Sequence, residues 1–161
     1  MIVLIRIDER LVHGQVAVGW NAAVQPTNFI VIDDEIAAVD WEAELVLAGV
    51  PDGTAGEVVT LSDAIAQWES WRTDAERHLI LVAGPAPLLA LVASGIVIPE
   101  ANVGGVHRRT GRIEYAPYVH LDESEFAACR ALCEAGVRLE GRDVPTARGI
   151  DLCRRIMPKE R

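Results

Sequence analysis

Ile2-Val3-Leu4-Ile5-Arg6-Ile7-Asp8-Glu9-Arg10-Leu11-Val12-His13-Gly14-Gln15-Val16-Ala17 is the stretch on which the reading of the fold turns. Ile2 to Ile7 is apolar, rich in β-branched residues and broken only by Arg6, the composition of a parallel strand buried on both faces. From about Gln15 to Val24 the pattern turns helical. His13 therefore falls on the loop between the C-terminal end of a strand and the start of a helix, the edge at which open α/β sheets bind ligands. Backbone N–H groups and the helix dipole favour an anion at such a place.

The same rhythm continues along the chain. Phe29 to Ile32 reads as a second buried strand running into Asp33, Asp34 and Glu35, with a helical pattern from about Val39 to Gly49. After the Gly-rich turn Pro51 to Gly56 come a third strand, Val58 to Leu61, and a helix from Ala64 to Trp71 for which Ser62 is the expected cap. His78 to Val82 is the fourth strand, Pro87 to Ser94 a helix stopped by Gly95, and Ala101 to Gly105 a strand ending in a glycine turn that is a second candidate site. Arg112 to Val119 reads as a short extended piece, and Asp122 caps a helix from about Glu123 to Ala135 that Gly136 ends. Val137 to Glu140 is a last strand, and Thr146 to Met157 a final helix after Pro145. Strands separated by helices in this way predict an open, mostly parallel twisted α/β sheet with helices on both faces and right-handed crossovers. At 161 residues the expectation is a single domain over 1–161.

The net charge of −9 argues against nonspecific binding to nucleic acid or anionic membranes, so any phosphate site has to be local. The cysteines Cys129, Cys133 and Cys153 are odd in number and no secretory signal opens the sequence, which points to the cytoplasm. Cys129 and Cys133, four apart on a helix, read as structural thiols. The most apolar stretch, Leu79 to Ile98, is interrupted by Gly84, Pro85, Pro87, Ser94 and Gly95, and does not read as a membrane span. Neither a phosphate-binding glycine-lysine loop, nor a dinucleotide fingerprint, nor zinc spacing of His and Cys occurs, so no cofactor and no metal are called for. Trp20, Trp41, Trp68 and Trp71 give more aromatic bulk than such a core must bury, which leaves a homodimer open.

The chemistry is expected at His13. A neutral imidazole is a nucleophile near neutral pH and its bond to phosphorus is labile, so histidine suits a phosphoryl group that is taken up and released again. Arg10 offers bidentate donors to phosphoryl oxygens. Gly14 removes a Cβ where backbone meets the anion, and Gln15 adds a donor. Asp8 is placed to accept from Arg10 or from the other ring nitrogen of His13, which would orient the ring. Spacing alone also fits a plainer reading, with Asp8 to Arg10 as a solvated turn and His13 as a satisfied helix-start residue. Asp33 and Asp34 fit both a helix cap and a role in positioning Arg10 or His13. His107, Arg108 and Arg109 fit a cluster facing a phosphate or an acidic partner, and equally a solvated loop. His78 and His120 read as structural.

Arg6 to Val16 resembles the phosphohistidine loop of enzyme IIB in the mannose/fructose/sorbose class of the bacterial phosphoenolpyruvate-dependent sugar phosphotransferase system (PTS). The likeness continues through Ile30 to Glu35, Asn102-Val103-Gly104-Gly105, Ala135-Gly136-Val137 and Val144-Pro145, nearly the whole chain. It implies that His13 takes a phosphoryl group from the histidine of enzyme IIA and passes it to a sugar brought in by the membrane subunits IIC and IID, with Arg10, Asp8, Gly14 and Gln15 around it. It further implies a chain in the cytoplasm, peripherally associated with the membrane transporter. The sequence departs from the resemblance at Glu9, where an aspartate is usual, at His107-Arg108-Arg109, where a more apolar start is expected, and at Ala83-Gly84-Pro85, which lacks polar residues. Two competing readings are a regulatory phosphoprotein of the same fold, not coupled to transport, and a small-molecule-binding module with no phosphotransfer.

Overall fold

The computed structural model describes residues 1–157, so the last four residues of the expected domain lie outside it. Seven strands form one sheet in the order β3-β2-β4-β1-β5-β8-β9. They are β1 (Ile2–Asp8), β2 (Asn28–Ile32), β3 (Ala55–Val59), β4 (His78–Val82), β5 (Glu100–Gly105), β8 (Arg138–Gly141) and β9 (Ile150–Asp151). All neighbours are parallel except β8 and β9. A separate antiparallel pair, β6 (Ile113–Ala116) and β7 (Val119–Leu121), replaces the expected extended piece.

Alternation along the strands separates two cores. Ile30 and Ile32, Ile80 and Val82, and Ile5 and Ile7 face one side, where the apolar residues of α4 (Leu61–Thr73), α5 (Pro85–Ala93), α6 (Glu123–Glu134) and α7 (Leu152–Ile156) close over them. Phe29, Val31, Leu79 and Leu81 face the other side and pack with Leu11, Val16 and Trp20. Trp20 ends a π-helical turn, Gln15–Trp20, which runs into α1 (Asn21–Val24). The same side carries Ile36 of α2 (Asp34–Ala37) and Val46 of α3 (Asp40–Leu47). Trp68 and Trp71 are also buried, and Trp41 is exposed. No helix among the described residues is long and apolar enough to cross a membrane.

Three expectations are corrected. Ser62 is not the cap of α4: Thr60 is, its side chain accepting from Asp63 N at 3.1 Å, because the helix begins at Leu61. Thr146 to Met157 is not one helix. Ile150 pairs with Gly141 as an edge strand and Asp151 caps the short α7, so long-range pairing overrides local helix propensity. Cys133 does not stay a free partner of Cys129; it is bridged to Cys153, which brings α6 and α7 together, and Cys129 is a buried free thiol. Burial pushes the Cys129 thiol up to about 12, which makes it inert. The bridge closes a loop of sequence separation 20. Its reduction is expected to lower stability by about 3 kcal/mol, read as a drop in urea midpoint between oxidised and reduced protein, with thiols counted by intact mass.

The order of strands also places the site. The chain leaves β1 toward β2 on one side and leaves β5 toward β8 on the other. A crevice therefore opens at the carboxyl ends of β1 and β5, where the direction of winding reverses.

Candidate active site

Asp8 ends β1 and is fully buried together with Arg6, two residues earlier on the same face. Arg6 donates from Nη2 to Asp8 Oδ2 at 2.8 Å and to Asp143 O at 3.1 Å, and from Nη1 to Asn102 Oδ1 and to Arg142 O at 3.0 Å. The guanidinium lies over the Trp20 ring at 5.1 Å, while Trp20 Nε1 donates to Asp143 O at 3.1 Å. The buried carboxylate of Asp8 is thus held by a fixed cation, leaving Oδ1 to receive the backbone N–H of Arg10 at 3.2 Å.

The chain then turns sharply. Leu11 adopts φ 53°, a left-handed conformation unusual for a branched residue, with its N–H donating to Asp8 O at 2.9 Å. This strained turn aims the Leu11 carbonyl at His13, whose Nδ1 lies 3.0 Å from it. The other ring nitrogen, Nε2, is buried, has no hydrogen-bond partner among the described residues, and stands 3.7 Å from Asp8 Oδ2. The ring is thereby fixed edge-on between a carbonyl and a buried carboxylate. Arg10 reaches out from the loop: its Nη2 donates to Gln15 Oε1 at 2.9 Å, and its Nε is 3.6 Å from Asp8 Oδ1. Gly14 has ordinary helical angles and nothing within 4 Å of where a Cβ would stand, so it leaves open space beside the ring.

Asp8, Arg10, His13, Gly14 and Gln15 are therefore together at the crevice. Asp33 and Asp34 serve structure instead: Asp33 caps α2 by accepting from Glu35 N and Ile36 N, and Asp34 accepts from Leu61 N at 2.6 Å. His78 is buried and bonded to Asp74, and His120 is buried near Glu114. Among the described residues no cluster of His, Cys, Asp and Glu is arranged to hold a metal.

Sequence reasoning gave Arg6 and Asn102 no role. A lone arginine inside a β-branched run, two residues from an aspartate, was the available signal. It also read the paired glycines as a turn and a second candidate site; they are the last two residues of β5, and their reason is steric. A Cβ on Gly104 would fall inside the Arg6 guanidinium, and one on Gly105 inside the Asp8 carboxylate. Gly105→Ala is expected to destabilise the fold by about 1–3 kcal/mol through overpacking, measured by chemical denaturation. Because it displaces Asp8, it should also abolish any chemistry at His13.

The departures at Glu9 and at His107 to Arg109 meet in space. Glu9 accepts from His107 Nδ1 at 2.7 Å and lies 3.3 Å from Arg109 Nη2.

This geometry defines an open α/β protein with a carboxylate-backed histidine in the crevice where the winding reverses. The sequence profile of the PTS system sorbose subfamily IIB component matches residues 2–161, and the chain belongs to that family. It is 34% identical over 143 residues to the PTS system mannose-specific EIIAB component of Escherichia coli (strain K12), a match that covers 89% of this chain and 44% of that protein. The chain thus spans less than half the length of that relative. It is 30% identical to the PTS system sorbose-specific EIIB component of Lacticaseibacillus casei, across 97% of this chain and 95% of that one. The crystal structure of the IIBSor domain of the sorbose permease from Klebsiella pneumoniae superposes with a TM-score of 0.87 at 29% identity, covering 97% of this chain and 96% of that one.

Proposed function

We propose that this chain, over 1–161 one IIB domain, is a phosphocarrier that accepts a phosphoryl group on His13 from the phosphohistidine of an enzyme IIA and delivers it to a sugar entering through IIC and IID subunits. The observation that carries the reading is the setting of the ring, with Nε2 buried 3.7 Å from Asp8 Oδ2 and Nδ1 3.0 Å from the Leu11 carbonyl in a side chain that is 16% exposed. A buried nitrogen cannot meet an incoming phosphorus, so the acceptor is Nδ1. The Leu11 carbonyl can only accept, so at rest the ring proton is on Nδ1, and it moves to Nε2, toward Asp8, when that contact releases and frees the Nδ1 lone pair.

In the first step the Nδ1 lone pair attacks phosphorus, its contact with the Leu11 carbonyl releases, and the bond from phosphorus to the donor's ring nitrogen breaks. The positive charge that develops on the His13 ring is matched by Asp8. Arg10, whose side chain is 42% exposed, exchanges its contact with Gln15 for phosphoryl oxygens, with Gln15 and the open space at Gly14 completing the anion site. In the second step a sugar hydroxyl attacks the same phosphorus, the Nδ1–phosphorus bond breaks, and the hydroxyl proton leaves to solvent or a partner group. Two phosphohistidines have similar transfer potentials, so the first step is reversible and depends on alignment. On this reading the chain works in the cytoplasm, attached peripherally to the transporter.

The test is incubation with phosphoenolpyruvate, enzyme I, the histidine phosphocarrier and IIA, followed by intact-mass analysis. An acid-labile, alkali-stable adduct on His13 is expected, and an unlabelled chain beside a labelled IIB control overturns the reading.

A further inference from the structure

Glu9 follows Asp8 directly, yet its carboxylate turns away from the buried pair and gathers donors from the segment after β5. Oε1 accepts from the His107 ring at 2.7 Å and from the His107 backbone N–H at 3.3 Å. Oε2 accepts from Arg112 Nη1 at 2.9 Å, with Arg109 at 3.3 Å. Arg112 in turn donates to Glu125 Oε1 at 2.6 Å, and Glu125 belongs to the capping box of α6. One carboxylate therefore ties together the histidine loop, the 107–112 segment and the start of a helix. Burial alone would raise the Glu9 carboxyl, but hydrogen bonds from Arg112 and His107 outweigh it and hold the group below the ordinary range, so it stays ionised. Phosphoryl transfer at His13, as derived above, makes no use of this group.

The exposures within the cluster are unequal. Glu9 is 13% exposed and Arg109 65%, and Arg108 is exposed beside it. Glu9 and Arg112 are inside, and Arg108 and Arg109 are outside. On a chain of net charge −9 this makes a local positive rim beside the histidine loop.

We propose that Glu9 is a positioning residue for docking: it fixes the 107–112 segment against the histidine loop so that Arg108 and Arg109 read an acidic surface surrounding the phosphoryl group of a donor protein. The proposal rests on the phosphocarrier reading. Exposed charges at the edge of an interface act on encounter and salt dependence more than on the reaction within it. Loss of Glu9 leaves Arg109 unanchored, so the rim must be ordered at each encounter, and the cost appears in binding of the donor.

The experiment measures the initial rate of transfer from phosphorylated IIA over a range of IIA concentrations at low and high salt. Glu9→Gln and Arg109→Gln are each expected to raise the half-saturating concentration about fivefold, the effect of one exposed charge interaction, with the maximal rate held within about twofold. Both should flatten the salt dependence. The double variant should be no worse than the weaker single one, since Glu9 acts through Arg109, and Glu9→Asp, which keeps the charge on a shorter arm, should fall between wild type and Glu9→Gln. Arg109 is a surface side chain, so Arg109→Gln tests the rim even if Glu9→Gln loosens the fold. A lowered maximal rate at unchanged half-saturation in Glu9→Gln, or an unchanged half-saturation in Arg109→Gln, overturns the proposal. Failure of the phosphocarrier reading is seen separately, as a wild-type chain that takes no label at any concentration, and it overturns this proposal too.

Discussion

His13→Ala leaves the chain folded and unable to carry a phosphoryl group. The side chain is 16% exposed at the crevice and makes one hydrogen bond, from Nδ1 to the carbonyl of Leu11, so its removal costs only about 1 kcal/mol of stability. Its loss removes the imidazole that stands 3.7 Å from Asp8 and that we propose as the acceptor. Arg10 stays protonated and is no nucleophile, His78 and His120 are buried at other places in the fold, and the His107 ring is bonded to Glu9 rather than set against Asp8. Intact-mass analysis should therefore find the acid-labile adduct on wild type and none on the variant, with melting temperatures within about 4 °C of each other. His13→Gln should be equally dead, because a neutral amide keeps polarity and lacks the lone pair that attacks. An adduct of equal size on His13→Ala would move the carrier elsewhere and overturn the assignment of Asp8 and Arg10 along with it. Asp8→Asn sits between the two: the ring nitrogen stays in place, but the charge that balances the phosphorylated ring is gone.

The parts of this arrangement legible in the sequence were those written locally. The apolar runs Ile2 to Ile7, Phe29–Ile32 and His78–Val82, and the cap at Asp122, each depend on neighbours a few residues away, and the structure has them as read. The loop from Asp8 to Gln15 was legible for the same reason, since one turn gathers all its groups. What escaped was set by distance in the chain. Arg6 reads as an interruption of a strand because the atoms that satisfy it belong to Asn102, Arg142 and Asp143, up to 137 residues away. The Glu9 cluster draws on His107, Arg109 and Arg112 and could not be paired by spacing. The expected helix from Thr146 failed because an edge strand formed with β8, a contact that no local propensity encodes.

Arg6→Met is expected to lower stability by about 3–5 kcal/mol, because removing one member of a buried ion pair leaves the other charge without compensation. Asp8 has no exposed surface, and with Arg6 gone it keeps the Arg10 backbone N–H, a guanidinium nitrogen at 3.6 Å and His13 Nε2 at 3.7 Å. Asn102 Oδ1 and the carbonyls of Arg142 and Asp143 lose a donor at the same time. For a chain of this size the loss corresponds to a fall in melting temperature of about 10 °C. Burial pulls the guanidinium below its ordinary value and Asp8 opposes this, so the pair is held by mutual dependence more than by surplus attraction. That reasoning separates two further variants. Arg6→Lys keeps the charge but cannot reach four acceptors in one plane, and should lose roughly half as much stability. Arg6→Met combined with Asp8→Leu removes both charges and should recover most of the loss in a denaturation experiment, yet take no phosphoryl label, since nothing then faces His13 Nε2. Equal stability of Arg6→Met and wild type would mean that water reaches Asp8. The same result would deny the buried carboxylate its role in holding the ring, because a solvated carboxylate has no fixed direction in which to hold it.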